Sequence, residues 1–247
     1  MDRMLFLAMS GAKQTMVAQG VNTNNLANVG TTGFKQDLEQ FRSQPVFGPG
    51  FPVRVYAMTE RATTDTNPGP LNITHRDLDV AVRGEGWIAV QAKDGSEAYT
   101  RAGDLRVDSA GLLTTGNGLP VMGVSGAPIV VPQATKIEIA SDGSISFQPI
   151  GQNPNTLAQI EPIKLVKPPL DNLYKAEDGL MHTINGKPAE PDLNIRLISG
   201  ALEGSNVNAV EAMVNMIELA RTYEAQVKMM RTAKENDESV SQLMRMS

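Results

Sequence analysis

Asn208-Ala209-Val210-Glu211-Ala212-Met213-Val214-Asn215-Met216-Ile217-Glu218-Leu219-Ala220-Arg221-Thr222-Tyr223-Glu224 opens a stretch, Ser205 to Ser247, that contains neither proline nor glycine. Without either strong breaker, the stretch can continue as one helix. Asn208 with Glu211 three residues on has capping-box spacing, which places the Asn oxygen to accept from an orphan N–H of the first turn. Val210, Met213, Ile217, Ala220, Tyr223, Val227 and Met230 then recur at spacings of three and four. They predict a narrow apolar stripe of the coiled-coil kind. A helix from Ala209 to Met246 would run about 57 Å at ~1.5 Å per residue. That exceeds what one small domain covers, so the stripe predicts a helix that needs a partner.

Working outward, all 15 prolines lie between Pro45 and Pro191, which leaves the first 44 residues helix-permissive as well. A second helix is expected from about Asp2 to Asn28, with Asp2 favourable at its N-terminus and Met4, Ala8, Ala12 and Met16 on one face. Its end, Val21 to Asn28, carries four asparagines and is poor helix material, so packing must supply most of its stability. Gly30 and Gly33 offer a stop. Residues 36–76 read as an extended connector rich in proline and glycine, with at most a short strand at Val53 to Ala57. From 77 to 200 the text becomes short β-runs with turns: Trp87–Val90 and Ala98–Thr100 about Asp94-Gly95, Leu105–Val107 and Leu112–Thr114 about Asp108–Gly111, and Ile137–Ile139 and Ile145–Phe147 about Asp142-Gly143. This cadence describes antiparallel hairpins. The fold class is therefore α+β, with helical ends (residues 1–35 and 201–247) around a β-rich middle.

Composition removes most chemistry. The chain has 247 residues, a formal charge of -5, no cysteine and two histidines. An acidic balance argues against nucleic acid as a partner. Absent cysteine excludes disulfides, thiolate metal sites and cysteine nucleophiles. No run approaches the ~18 apolar residues of a membrane-spanning helix, and the N-terminus lacks the pattern of a cleaved secretory signal. Gly84-Glu85-Gly86 with Ala89 matches a dinucleotide pattern, but a strand follows it where a helix would be needed. His75 and Asp77 lack a nucleophile partner, and Asp94, Asp108 and Asp142 sit at hairpin corners rather than in a calcium loop. No catalytic residue, cofactor, metal or small-molecule substrate is assigned. A competing enzyme reading would require His75, Asp77 and Glu85 to share a pocket.

Asn25-Leu26-Ala27-Asn28 with Thr32-Gly33-Phe34-Lys35, and Leu202-Glu203-Gly204-Ser205-Asn206-Val207-Asn208 with Met216-Ile217 and Arg221-Thr222-Tyr223-Glu224, resemble the paired end motifs of bacterial flagellar rod and hook proteins. In the middle, Leu78-Asp79-Val80-Ala81, Gly86-Trp87-Ile88-Ala89-Val90-Gln91 and Ala98-Tyr99-Thr100-Arg101 look like the β-domain of that family. The resemblance implies a structural subunit of the flagellar basal-body rod, exported unfolded through the type III apparatus and placed in the periplasm. Its partners would be other rod subunits, proximal and distal. It also implies that the terminal helices pair as a coiled-coil core domain while the β-domain faces outward. Met1-Asp2-Arg3, the Gly86-Trp87 pair and the length look most like a proximal-rod subunit; a distal-rod or hook-type subunit is the alternative. Glu224 and Arg231 interrupt the seam, so a plain two-helix zipper is not expected. The assembly interface expected from stripe and resemblance together comprises Leu5, Asn25, Leu26, Asn28, Phe34, Asn206, Val210, Met213, Ile217, Ala220, Tyr223, Val227 and Met230. For Asn25 and Asn28 two roles stand open: helix caps, or amides bonding the turn through Gly33 and a neighbouring subunit to fix register.

Overall fold

A computed structural model describes residues 4–45, 55–59, 63–149 and 158–246. Asp2, read as an N-terminal acidic residue, and Val53, the expected start of a strand, lie outside the described residues. The chain divides into two compact units. A helical unit takes Met1–Asn28, Asp37–Asp65 and Val207–Ser247, and a β unit takes Val29–Gln36 and Thr66–Asn206. The terminal motif segments 29–35 and 201–206 thus pack with the β residues.

In the helical unit, α1 spans Met4–Ala27 and α2 spans Ala209–Met246. Asn208 caps α2 as its position requires, its Oδ1 accepting from the N–H groups of Val210 (3.1 Å) and Glu211 (3.4 Å). The helices are antiparallel neighbours. Near one end the Asn22 Nδ2 donates to the Ala212 carbonyl at 2.7 Å, and further along a Cβ on Gly11 would lie 2.8 Å from the Gln226 amide nitrogen. The buried positions of α1 are Ala8, Ala12, Thr15, Ala18 and Asn25. On α2 they are Ala212 and Ala233, with Met216, Leu219, Gln226 and Met230 half-buried between them. Small side chains let the two backbones approach closely, and Thr15 satisfies its hydroxyl on the Gly11 carbonyl at 3.0 Å.

The segment expected as a connector is more ordered in pairing than its prolines suggested. Asp37–Leu38 pairs with Thr63–Thr64, and Phe41–Pro45 pairs with Val55–Thr59. These strands are rich in β-branched and aromatic residues, and Pro45 sits at the terminus of a two-stranded ribbon, where a missing N–H costs little.

The β unit follows the hairpin reading closely. Trp87–Gln91 pairs with Glu97–Thr100 about Asp94-Gly95, where Gly95 holds φ +85° and Asp94 Oδ1 accepts from the Ser96 N–H at 2.9 Å. Leu105–Val107 pairs with Leu113–Thr115, and Ala134–Ile139 with Ile145–Pro149. The largest sheet has five strands, in the order Leu165–Val166, Trp87–Gln91, Glu97–Thr100, Met181–Thr183, Leu173–Lys175. Strand alternation splits its central residues between two buried layers. Ile88 and Val90 join Leu105, Leu113, Val121, Ile145 and Ile163 in an aliphatic core, while Trp87 and Ala89 pack with Tyr99, Met122, Val166 and Met181.

Candidate assembly site

The end motifs converge on one buried carboxylate in the β unit. Glu203 closes the strand Ala201–Glu203, which pairs with Leu71–Ile73. Its Oε1 accepts from Lys35 Nζ at 2.6 Å and from the Gly69 N–H at 3.0 Å, and its Oε2 accepts from Arg101 Nη1 at 2.8 Å. The three charged side chains are 1–3% exposed. Lys35 also donates to the Asn67 carbonyl (2.7 Å), and Arg101 Nη2 to the Gly84 carbonyl (2.7 Å), so the surplus cation is spread over backbone oxygens. The Arg101 guanidinium carbon stands 5.4 Å from the Trp87 ring centroid.

Glycine makes this closure possible. Gly33, at φ +67°, donates its N–H to the Glu203 carbonyl at 2.8 Å, and a Cβ there would lie 2.3 Å from the Arg101 carbonyl carbon. Asn206 completes the tie: its Oδ1 accepts from the Gln36 N–H (2.7 Å), and its Nδ2 donates to the Asn67 carbonyl (3.2 Å). Phe34 lies under Lys175, whose Nζ is 3.9 Å from the ring centroid and donates to the Lys35 carbonyl at 2.8 Å. Phe34 and Asn206 were expected at the assembly interface; here they organise the chain itself. Lys35, Arg101 and Glu203 were not singled out, although each stands in a quoted motif.

In the helical unit Asn25 is 2% exposed and clamps the Asp37 backbone. Its Nδ2 donates to the Asp37 carbonyl at 2.8 Å, and its Oδ1 accepts from the Asp37 N–H at 3.0 Å. The amide thereby copies the paired exchange of an antiparallel strand. Its partner in the chain is Asp37, in place of the expected turn through Gly33. Asn28 donates from Nδ2 to the Asn24 carbonyl at 2.9 Å, a local bond at the helix end. Leu26 is half-buried.

The expected α2 stripe does not form one face. At about 100° per residue, Val210 and Met230 stand about 160° apart around the helix. Val210, Met213 and Ile217 turn away from α1 and are 71%, 54% and 54% exposed. Ala220, Tyr223 and Val227 lie along the flank, and Met230 is half-buried toward α1. Leu5 of α1 is exposed beside Ala233 and Lys234 of α2. The residues facing α1 are instead Ala212, Met216, Leu219, Gln226, Met230 and Ala233, because two consecutive steps of three, from Ile217 to Tyr223, rotate the expected stripe off a single seam.

Nothing gathers around His75 and Asp77 that would make a catalytic group with Glu85. His75 and Asp77 line an open cleft with Arg76 and Lys136. Glu85 is instead paired with Lys167 at 2.7 Å, whose hydrogen bond and charge hold its carboxyl below the usual range. Among the described residues no group of three or more His, Asp or Glu is placed to hold a metal ion, and no helix is long and apolar enough to cross a membrane.

The chain thus combines a β unit closed on a buried junction of end motifs with a helix pair that leaves large apolar side chains exposed, the pattern of a subunit built for assembly. Three family models match. The flagella basal body rod protein model covers residues 5–35, the D1 domain of flagellar hook protein FlgE/F/G covers 81–147, and the C-terminal model of flagellar basal body rod FlgEFG protein covers 198–243. The chain is 42% identical over 253 residues to the flagellar basal-body rod protein FlgF of Salmonella typhimurium (strain LT2), with 100% of both chains covered. Identity to FlgF of Escherichia coli (strain K12) is 41% at the same coverage. Identity to the rod protein FlgG of Buchnera aphidicola subsp. Acyrthosiphon pisum (strain APS) is 33% over 270 residues, covering 97% of this chain and 98% of the relative. The chain belongs to the flagellar basal-body rod protein family, whose members are structural and non-enzymatic, and it is a rod subunit.

Proposed function

We propose that this subunit sits in the proximal rod and joins neighbouring proximal and distal rod subunits through its helical unit, with the β unit outward. The observation that carries the reading is the inverted size pattern of the helix pair. The buried positions of the helix pair are mostly alanines, with Met216, Leu219, Gln226 and Met230 half-buried on α2, while Phe6, Met9, Met16 and Val17 of α1 and Val210, Met213, Val214 and Ile217 of α2 are exposed. Side chains of that size left in water mark a surface completed by other chains. Val210, Met213 and Ile217 are its docking residues, flanked by Ala220, Tyr223, Val227, Met230 and Leu5. Asn25, Leu26, Asn28, Phe34 and Asn206 shape the segments that present it.

The proximal position is supported by the higher identity to the proteins named FlgF than to the FlgG relative. A chain delivered unfolded through the type III export apparatus to the periplasm needs no cleaved signal, and it forms the Lys35–Glu203–Arg101 junction only once folded. The test is Ile217→Asp, followed by quantification of the subunit in isolated basal bodies. An unpaired charge on a face covered by neighbours should remove incorporation while leaving the soluble chain folded. Normal incorporation of this variant would sink the reading.

A further inference from the structure

The exposed apolar side chains of the helical unit include two unlike patches. On α1, Phe6, Met9, Met16 and Val17 surround Lys13, the one charged residue of Met4–Ala27. On α2, Val210, Met213, Val214 and Ile217 are flanked by Glu211 and Glu218, and no cation precedes Arg221. The patches are also offset along the helix axis. Asn22 lies against Ala212 and Gly11 against Gln226, so the α2 patch stands level with α1 residues near Gly20, while the α1 patch centres near Lys13. The offset is about eight residues, or ~12 Å at 1.5 Å per residue.

We propose that the α2 patch of one copy docks on the α1 patch of a second copy of this chain, displaced along the helix axis by that offset of ~12 Å. Lys13 then falls between Glu211 and Glu218 of its neighbour. Both halves of the interface are present on each copy, and the charges select the unlike pairing. An α2-on-α2 contact would oppose Glu211 and Glu218 to the same residues, and an α1-on-α1 contact would oppose two Lys13 side chains. An interface between different patches with a translation does not close, so it continues as a helical array. The inference rests on the rod reading above and adds the partner and the register.

The cysteine-free chain makes a direct test possible. Basal bodies are isolated from cells whose only copy of the subunit is Val17→Cys/Val210→Cys, then oxidised and run without reductant. The expected result is bands at multiples of 26.5 kDa from the double variant and monomer alone from either single variant. Adding Lys13→Glu should reduce the multimers about tenfold, and Glu211→Lys with Glu218→Lys should restore them. The proposal is overturned if the subunit is present in basal bodies but the double variant gives only monomer. Dimers from Val210→Cys alone, or cross-links to a different chain, overturn it equally. A subunit absent from basal bodies sinks the rod reading together with it.

Discussion

The aliphatic core of the β unit and the α1–α2 interface use opposite ends of the side-chain size range. In the β unit the large aliphatic residues Ile88, Leu105, Leu113, Val121, Ile145 and Ile163 are buried in one core. In the helix pair the buried residues are mostly alanines, and Phe6, Met9, Val210, Met213 and Ile217 are left exposed. Burial contributes roughly 25 cal/mol per Å² of apolar surface, so the same chain length stabilises the β unit far more than the helix pair. A self-sufficient domain and an unfinished one are joined in one chain. On the proposed reading, the difference places folding stability in one unit and association energy in the other.

The sharpest way to break this comparison is at the buried junction. Glu203→Gln leaves Lys35 and Arg101 without their shared anion and should cost about 3–5 kcal/mol in a urea titration of the β unit. A small loss would mean that the junction is incidental to the fold. Next, Leu113→Ala should destabilise the same unit by about 2–5 kcal/mol through its cavity. Asn25→Ala removes both bonds to Asp37 and should cost about 1–3 kcal/mol, registered as faster amide exchange at Asp37 and along Phe41–Gln44. The Asn25→Asp variant separates donor from acceptor: it keeps an acceptor for the Asp37 N–H but sets an anion against the Asp37 carbonyl.

A smaller effect is expected at high pH. Tyr99 donates to Glu97 Oε1 at 2.9 Å and accepts from the Ala189 N–H at 2.8 Å. Burial first, and then the Glu97 charge, push its phenol above the usual value. The unfolded phenol therefore ionises first, and stability present below pH ~10 should fall as pH rises past it. Thermal melts of Tyr99→Phe should lack that component. The smallest stability change is expected at Ile217→Ala, within about 0.5 kcal/mol, because the side chain is exposed in the single chain. A large drop there would erase the contrast between the two units.

The elements themselves were legible locally. The α2 boundaries followed from Asn208 and the absence of breakers, and the hairpins from Asp94-Gly95, Asp108–Gly111 and Asp142-Gly143, because caps and tight turns are decided within a few residues. The pairing of Asp37–Leu38 with Thr63–Thr64 and of Phe41–Pro45 with Val55–Thr59 was hidden behind a proline-rich composition, although Pro45 is tolerated at the end of a two-stranded ribbon. The α2 stripe was read as one seam although its spacing drifts around the helix, and hydrophobicity alone did not reveal that Ala212 and Ala233, with Met216 and Met230 half-buried between them, face α1 while Val210, Met213 and Ile217 do not.

What the sequence determined by itself was the division of labour: breaker-free ends, a turn-rich middle, no chemistry-bearing constellation, and the end motifs of a rod protein. The tertiary structure alone decided which residues those motifs join. Lys35, Arg101 and Glu203 are separated by as many as 168 positions. No propensity or periodicity couples groups at that distance; they meet only when Gly33 lets the chain pass within contact of Arg101. The same holds for Asn25, whose two possible roles, helix cap or register-fixing amide, stay open in the sequence until Asp37 arrives beside it. Local preference acts over a turn of backbone, whereas a buried charge or amide is placed by whichever distant groups satisfy it when water leaves.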